Sequence, residues 1–238
     1  MKSCKGQDAL DLSCLAEYIS LVKEHEYPYC VEQCKLIEYV ERTFLSEDIY
    51  VDVEQAEKYF SYEKYFPFKL FPWERFVFTL HNCTYKSNDS LRWPVLFLYV
   101  GRGTGKNGYL GFEDFCLLTP TNGIKHYNID IFATTEDQAK TTFNDVYNVL
   151  EDNRDKMQRF FYWNTEKIIN LKTKSVLRYR TSSPKSADGA RPGKVDHDEE
   201  HAYENSKLID VAVGGLGKKP RPRRTIMSTD GFVREGPL

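Results

Sequence analysis

No stretch of this chain approaches the roughly eighteen apolar residues that a membrane-spanning helix requires. The amino terminus, MKSCKGQDALDLSC, also lacks the apolar core of a secretory leader. From these two absences we expect neither a membrane span nor secretion, and a cytosolic setting. A disulfide or zinc framework has little to build on. The 6 cysteines include no CxxC pair, and no histidine cluster stands near them at zinc-ligand spacing. Cys30 and Cys34 would share one helix face, where two small apolar side chains suit a core or an interface, and a reducing compartment keeps them as thiols. His197 and His201 are four apart, but Asp198, Glu199 and Glu200 between them do not spell HExxH, which argues against zinc hydrolysis. Internal repeats and low-complexity tracts are likewise missing.

What is present is the composition of a folded protein: 41% hydrophobic and 29% charged residues over 238 positions. That length holds one large α/β domain with an appendage, or two small domains. The net charge of −2 conceals an uneven distribution. The first 70 residues carry an acidic excess, whereas the stretch from residue 154 onward is basic. A basic third can face a polyanion, or it can pair with the acidic part of the same chain.

Periodicity divides the chain. In the first 70 residues ALDLSCLAEYISLVKEH, YCVEQCKLIEYVERTFL and VDVEQAEKYFSYEKYF all repeat apolar residues at three and four, predicting helices without strand signals. Pro72 stands at a favoured first helical position for WERFVFTLHNCTY. After the polar loop KSNDS the character changes. PVLFLYV suits a strand buried on both faces, and YNIDIFATT is another strand. EDQAKTTFNDVYNVLEDNRDKMQRFF reads as one long helix, KIINLKTKSVLRYRTSS as two short strands around a turn, ENSKLIDVAVGGLG as a helix closed by glycine, and RRTIMSTDG as a final strand. Strands alternating with helices predict a parallel α/β sheet.

The segment VLFLYVGRGTGKNGYLGFEDF then asks for chemistry. A phosphate cradle needs inward backbone N–H groups, which glycine allows at positive φ, and a helix amino terminus whose dipole favours anions. Gly101, Gly103 and Gly105 supply the turn and Lys106 the charge. Two departures from G-x-x-x-x-G-K-[ST] are plain: Val100 takes the first glycine position, and Asn107, a weaker oxygen ligand for Mg2+, follows the lysine. A ligand-free strand-to-helix turn remains the other reading. A nucleotide hydrolase also needs a carboxylate beside the metal and an acid to orient water. GKVDHDEEHAYEN offers Asp198 and Glu199 for these roles, although Lys194, Asp196 and His197 make the strand before them unusually polar, and a solvated acidic turn reads equally well. The STD of TIMSTDGFVREG fits a γ-phosphate sensor or a plain turn, and the basic run GKKPRPRR fits phosphate contacts or a solvated loop.

In this order, the segments resemble the large terminase subunit of tailed bacteriophages, the motor that packages viral DNA, and in particular the prophage type of Gram-positive hosts. FPWERF is similar to the family's adenine-contacting segment, with Trp73 and Glu74 where the family often has Trp-Gln. GRGTGKNGY matches the family's shortened P-loop with its internal arginine, here Arg102. RTSSPKSADGARPG resembles the approach to the Walker B strand, DEEHAYEN the Asp-Glu-x-His segment, and TIMSTDGFVREGPL the coupling motif.

The resemblance implies a P-loop NTPase core over 71–238, with a mostly parallel sheet flanked by helices, after a helical segment over 1–70. It implies an Mg2+-dependent ATPase: Gly101, Gly103, Thr104, Gly105, Lys106 and Asn107 hold ATP, Arg102 senses or stabilises the γ-phosphate, Asp198 holds Mg2+, Glu199 activates water and Thr229 couples hydrolysis to movement. Double-stranded DNA, a portal, a small terminase subunit and a homo-oligomeric ring are the implied partners, in the cytoplasm of a bacterial host. The family continues into a nuclease domain and this sequence ends at Leu238, so no DNA cleavage is expected. A charged Asp196 in a buried strand would cost several kcal/mol unless paired or neutralised. Either the strand is exposed or the site is impaired, which keeps open a remnant that binds DNA or portal without efficient hydrolysis.

Overall fold

The computed structural model describes residues 3–24, 28–180, 191–203 and 206–230. Most of RTSSPKSADGARPG, the end of DEEHAYEN and the chain after Asp230 lie outside the described residues. Contacts divide the chain into two compact units: one comprises residues up to Glu63 together with Pro67–Trp93, the other Lys64–Phe66 and the chain from Pro94 onward.

In the first unit, helices α1 (Gly6–Leu10), α2 (Ser13–Lys23), α3 (Val31–Ser46), α4 (Val53–Phe60) and α5 (Pro72–Cys83) accompany strands β1 (Ser3–Cys4), β2 (Ile49–Asp52) and β3 (Thr84–Lys86). The helical expectation is met, but strands were not anticipated. The three form an antiparallel sheet in the order β1-β2-β3. Each is 2 to 4 residues long, too short to show an alternating pattern. Asp52 ends β2 and starts α4, its carboxylate accepting the Gln55 N–H at 3.0 Å. Helix α5 begins with Pro72, and the Glu74 carboxylate accepts the Phe71 N–H at 2.7 Å. Tyr18 of α2 and Phe76 of α5 bury their rings against each other, centroids 5.1 Å apart.

The second unit contains β4 (Val95–Tyr99), α6 (Lys106–Leu118), β5 (Ile129–Phe132), α7 (Glu136–Asp152), α8 (Arg154–Met157), β6 (Phe161–Trp163), β7 (Ile168–Asn170), β8 (Val176–Arg180), β9 (Lys194–His197), α9 (Lys207–Gly214) and β10 (Arg223–Ser228). Its 7-stranded sheet runs β4-β10-β9-β5-β8-β7-β6. The first five strands in that order are parallel, and β7 and β6 continue it antiparallel. This is the mostly parallel α/β sheet expected of a P-loop NTPase.

Three expectations change. The long helix breaks at Asn153, which leaves helical geometry and donates its side-chain amide to the carbonyls of Val149 (2.9 Å) and Tyr65 (3.1 Å). The aromatic end of that stretch becomes β6, paired with β7. Strand β4 is not buried on both faces: among the described residues it lies at the sheet edge, with Val95, Phe97 and Tyr99 each about half exposed (53%, 49% and 53%). Elsewhere packing is close. A Cβ at Gly193 would fall 2.3 Å from the ring of Tyr127, so a side chain here forces the buried ring to move.

Candidate nucleotide site

Strands β4, β10 and β9 are parallel neighbours, so their carboxyl ends bring three sequence-distant segments to one edge of the sheet. Ligands of open α/β sheets bind at such ends. After β4 the chain turns through Gly101 to Gly105, all exposed, and enters α6 at Lys106. Gly103 (φ 79°) and Gly105 (φ 86°) occupy the left-handed region that side chains rarely tolerate. The Thr104 hydroxyl donates to the Gly101 carbonyl at 2.8 Å, closing the turn from within. Arg102 is exposed and makes no hydrogen bond or ion pair among the described residues. Asn107 is half-buried in the first turn of α6.

Lys106 points to the acids after β9. Its Nζ lies 2.5 Å from Glu199 Oε1. The other carboxylate oxygen faces His201 Nδ1 at 3.1 Å and the Thr229 hydroxyl at 3.5 Å. His201 is tied in turn to the end of β10: its backbone N–H donates to Ser228 Oγ at 3.1 Å, and Nδ1 lies 3.3 Å from the same hydroxyl. Glu199 itself sits at φ 52° and ψ 50°, a left-handed conformation unusual for a long side chain and typical of functional sites. Lys106, Glu199 and Thr229, nominated from three separate motifs, thus meet in one cluster.

Asp198 is buried, and its Oδ1 has no hydrogen-bond partner among the described residues. Burial, with the Glu199 charge beside it, pushes its carboxyl up to about 6, against the opposing pull of Lys106. A buried carboxylate oxygen without a protein partner suits a hard cation. Among the described residues no group of three or more His, Cys, Asp or Glu forms a complete metal cage.

The polar strand before these acids is neither exposed nor unpaired. All four residues of β9 are buried in the sheet interior between β10 and β5. Lys194 Nζ lies 2.6 Å from Asp196 Oδ1, 2.5 Å from Asp114 Oδ1 and 2.9 Å from Glu113 Oε2, and Thr225 of β10 donates to Glu113 at 2.9 Å. Burial lowers the Lys194 ammonium, but Asp114, Asp196 and Glu113 outweigh it and hold the group charged. Burial and the neighbouring Asp114 raise Asp196 well above the usual carboxylate range, and burial raises Asp114 to about 6. Lys194 thus faces three buried carboxyl groups, and burial pushes two of them, Asp196 and Asp114, upward. On the same strand, burial and then Arg224 lower His197 to about 3; the neutral ring accepts from Arg224 Nε at 3.1 Å.

Several residues of this arrangement escaped sequence reading. Glu113 and Asp114 look like an ordinary polar turn of α6, and only the fold brings Lys194 to them. His201 appears in the sequence as a motif letter, with no sign that it bridges two strand ends. The basic run GKKPRPRR is only partly a surface feature: Arg223 is fully buried and donates to the Tyr127 hydroxyl at 2.9 Å, and Arg224 reaches Glu200 at 3.1 Å. Trp73 and Glu74 belong to the first unit, where Glu74 is buried and burial pushes its carboxyl up to about 7.

The sequence profile of the family described as "Terminase large subunit, ATPase domain" matches residues 72–238. Among curated proteins none matches the chain. Among solved structures, the large terminase of bacteriophage HK97 superposes with a TM-score of 0.63 at 19% identity, covering 75% of this chain and 38% of that one. The large terminase ATPase domain of a Thermus phage aligns with a TM-score of 0.41 at 16% identity, covering 58% and 60%. The HK97 likeness concerns the fold, and this chain spans 38% of that terminase's length.

Proposed function

The chain belongs to the family of terminase large subunit ATPase domains, and from that premise we propose that it is the ATP-hydrolysing portion of a phage DNA-packaging motor. The observation that carries this reading is the 2.5 Å contact between Lys106 of the glycine turn and Glu199 after β9. A cation for phosphate and an acid for water converge there, with Asp198 beside them.

Bound ATP with Mg2+ supplies the phosphoanhydride and the cation that neutralises its developing charge. The backbone N–H groups around Gly103 and Gly105, at the amino end of α6, bind phosphate oxygens. Lys106 leaves Glu199 for the β/γ-phosphates, and Arg102, exposed on the turn, swings to the γ-phosphate. Asp198, whose Oδ1 has no partner among the described residues, would hold the metal, and the amide oxygen of Asn107 in the first turn of α6 would offer a further ligand. Glu199, released from Lys106 and still held by His201 and Thr229, takes a proton from the attacking water. The new P–O bond forms as the bond to the β,γ-bridging oxygen breaks, and ADP and phosphate leave. Thr229, at the end of β10, reports the state of Glu199 to the chain beyond. Trp73 and Glu74 are assigned to the adenine.

Double-stranded DNA, the portal, a small terminase subunit and a ring of copies complete the proposed motor in the host cytoplasm. The alternative is an impaired remnant that binds DNA or portal without efficient hydrolysis; the pairing of Lys194 with Asp196, Asp114 and Glu113 supports the working site over it. Titration of the chain with a fluorescent ATP analogue and Mg2+ tests the reading. Lys106→Ala should weaken binding at least tenfold, and failure of the unaltered chain to bind any nucleotide would refute the proposal.

A further inference from the structure

The amino ends of the parallel strands carry a second chemistry, at the edge of the sheet opposite the glycine turn. Strands β10, β9, β5 and β8 are consecutive in the sheet and parallel, so the segments leading into them gather side by side. These segments are 217–222, 191–193, 123–128 and 171–175, and none contains an aspartate or glutamate. Each contributes exposed or half-exposed cations: Lys218 and Arg221, Arg191, Lys125, and Lys172 with Lys174. Lys218, Arg191, Lys125, Lys172 and Lys174 make no ion pair among the described residues.

The rim is built rather than loose. The His126 N–H donates to the Thr173 carbonyl at 2.8 Å, the Gly193 N–H to the Asn128 carbonyl at 2.8 Å, and the Arg223 N–H to the Gly193 carbonyl at 2.9 Å. The Tyr127 hydroxyl donates to the Arg221 carbonyl at 2.7 Å. All four segments are thus bonded in series. His126, Lys174 and Arg221 adopt left-handed backbone there, at φ 56°, 58° and 52°.

We propose that this rim is a contact surface for the phosphate backbone of duplex DNA, read without regard to base sequence. The proposal rests on the motor reading above and gives its DNA a place on this chain. Adjacent strands lie about 4.8 Å apart, so the outer segments are separated by about 14 Å. Over that length a duplex presents about eight phosphate charges. Exposed lysines suit phosphates, whereas the cores of protein interfaces are depleted in lysine and enriched in aromatics. The one aromatic residue in these segments, Tyr127, is buried and hydrogen-bonded. Among the described residues the four segments are turns and extended backbone without a helix to enter a groove, which suits contact with the phosphate backbone. Strand β10 joins the two ends, with Arg221 leading into it and Ser228 closing it beside His201.

The test uses the whole chain and a labelled duplex of about three helical turns, with anisotropy read between about 50 and 200 mM salt. The rim variant combines Lys125→Gln, Lys172→Gln, Lys174→Gln and Lys218→Gln. A control removes four exposed lysines elsewhere: Lys35→Gln, Lys86→Gln, Lys156→Gln and Lys167→Gln. If each rim lysine meets one phosphate, the rim variant loses at least tenfold in affinity, and its log–log salt slope becomes shallower by about 3 to 4. The control and the unaltered chain should match, and two unrelated duplex sequences should bind equally. Equal losses in rim variant and control, an unchanged slope, no duplex binding by the unaltered chain, or tighter binding of polyglutamate than of duplex would each overturn the proposal. Nucleotide affinity, measured on the same proteins, separates the two readings. A chain that binds DNA through the rim but no ATP keeps this inference and loses the motor.

Discussion

Removing the ammonium of Lys194 should destabilise the second unit more than any single loss on its surface. Glu113, Asp114, Asp196 and Lys194 are all fully buried, and the three carboxyl groups lie within 2.9 Å of the one Nζ. Lys194→Met keeps most of the volume and leaves carboxylates without a counter-charge. Breaking a buried ion pair from one side costs about 3 to 5 kcal/mol. In a domain of this size about 1 kcal/mol moves the midpoint by roughly 2 to 4 °C, so thermal unfolding followed by circular dichroism should shift by about 6 to 20 °C. The double variant Lys194→Met, Asp114→Leu removes the ammonium together with the carboxylate nearest to it, at 2.5 Å, and should recover part of the loss, because apolar replacement of a whole buried pair is often close to neutral. A single variant that costs less than about 1 kcal/mol, or a double variant as unstable as the sum of its parts, would refute the assignment of Lys194 as the charge that admits β9 to the sheet.

Glu74 gives a pH dependence with a definite sign. Burial raises its carboxyl from 4.5 to about 7, so the folded chain holds this proton more tightly than the unfolded chain and loses stability as pH rises between those values. Glu74→Gln should flatten that slope in denaturant titrations, match the parent at low pH, and exceed it by about 2 to 3 kcal/mol above neutrality; a parent that gains stability over this range would contradict the sign. Gly193→Ala places a methyl group 2.3 Å from a ring carbon of Tyr127 and should cost about 2 kcal/mol or more, read as a lowered denaturation midpoint. His201→Ala loosens Glu199 without touching the glycine turn, and should lower kcat about tenfold with KM nearly unchanged. A rise in KM alone would place His201 in nucleotide binding instead.

The α/β character of the second unit is legible in the sequence because its signals are local. An apolar run followed by glycines and a helix, and hydrophobic repeats at three and four, need no knowledge of distant residues. Strand β9 shows where that stops. KVDH reads as polar because periodicity scores Lys194 and Asp196 as solvent-seeking, and the partners that make them compatible with a core, Glu113 and Asp114, are some eighty positions away. The edge position of β4 is hidden for a similar reason: PVLFLYV is apolar throughout, and exposure of one face depends on which strands neighbour it. Motif order located Lys106, Glu199 and Thr229 separately. That Lys106 and Glu199 are bonded to each other, with His201 completing the link to Ser228, required the fold. The basic run was legible as charge alone, and register decides which cations are structural: Arg223 and Arg224 belong to β10, whereas Lys218 reaches solvent.

Glu199 is the residue on which the account turns, and single-turnover phosphate release at saturating Mg2+ and ATP tests it most directly. The unaltered chain should release phosphate, while Glu199→Gln should bind the nucleotide with similar or greater affinity and release phosphate at least a hundredfold more slowly. Equal release by both proteins would contradict the account, since the acid that faces Lys106 would then have no part in activating water.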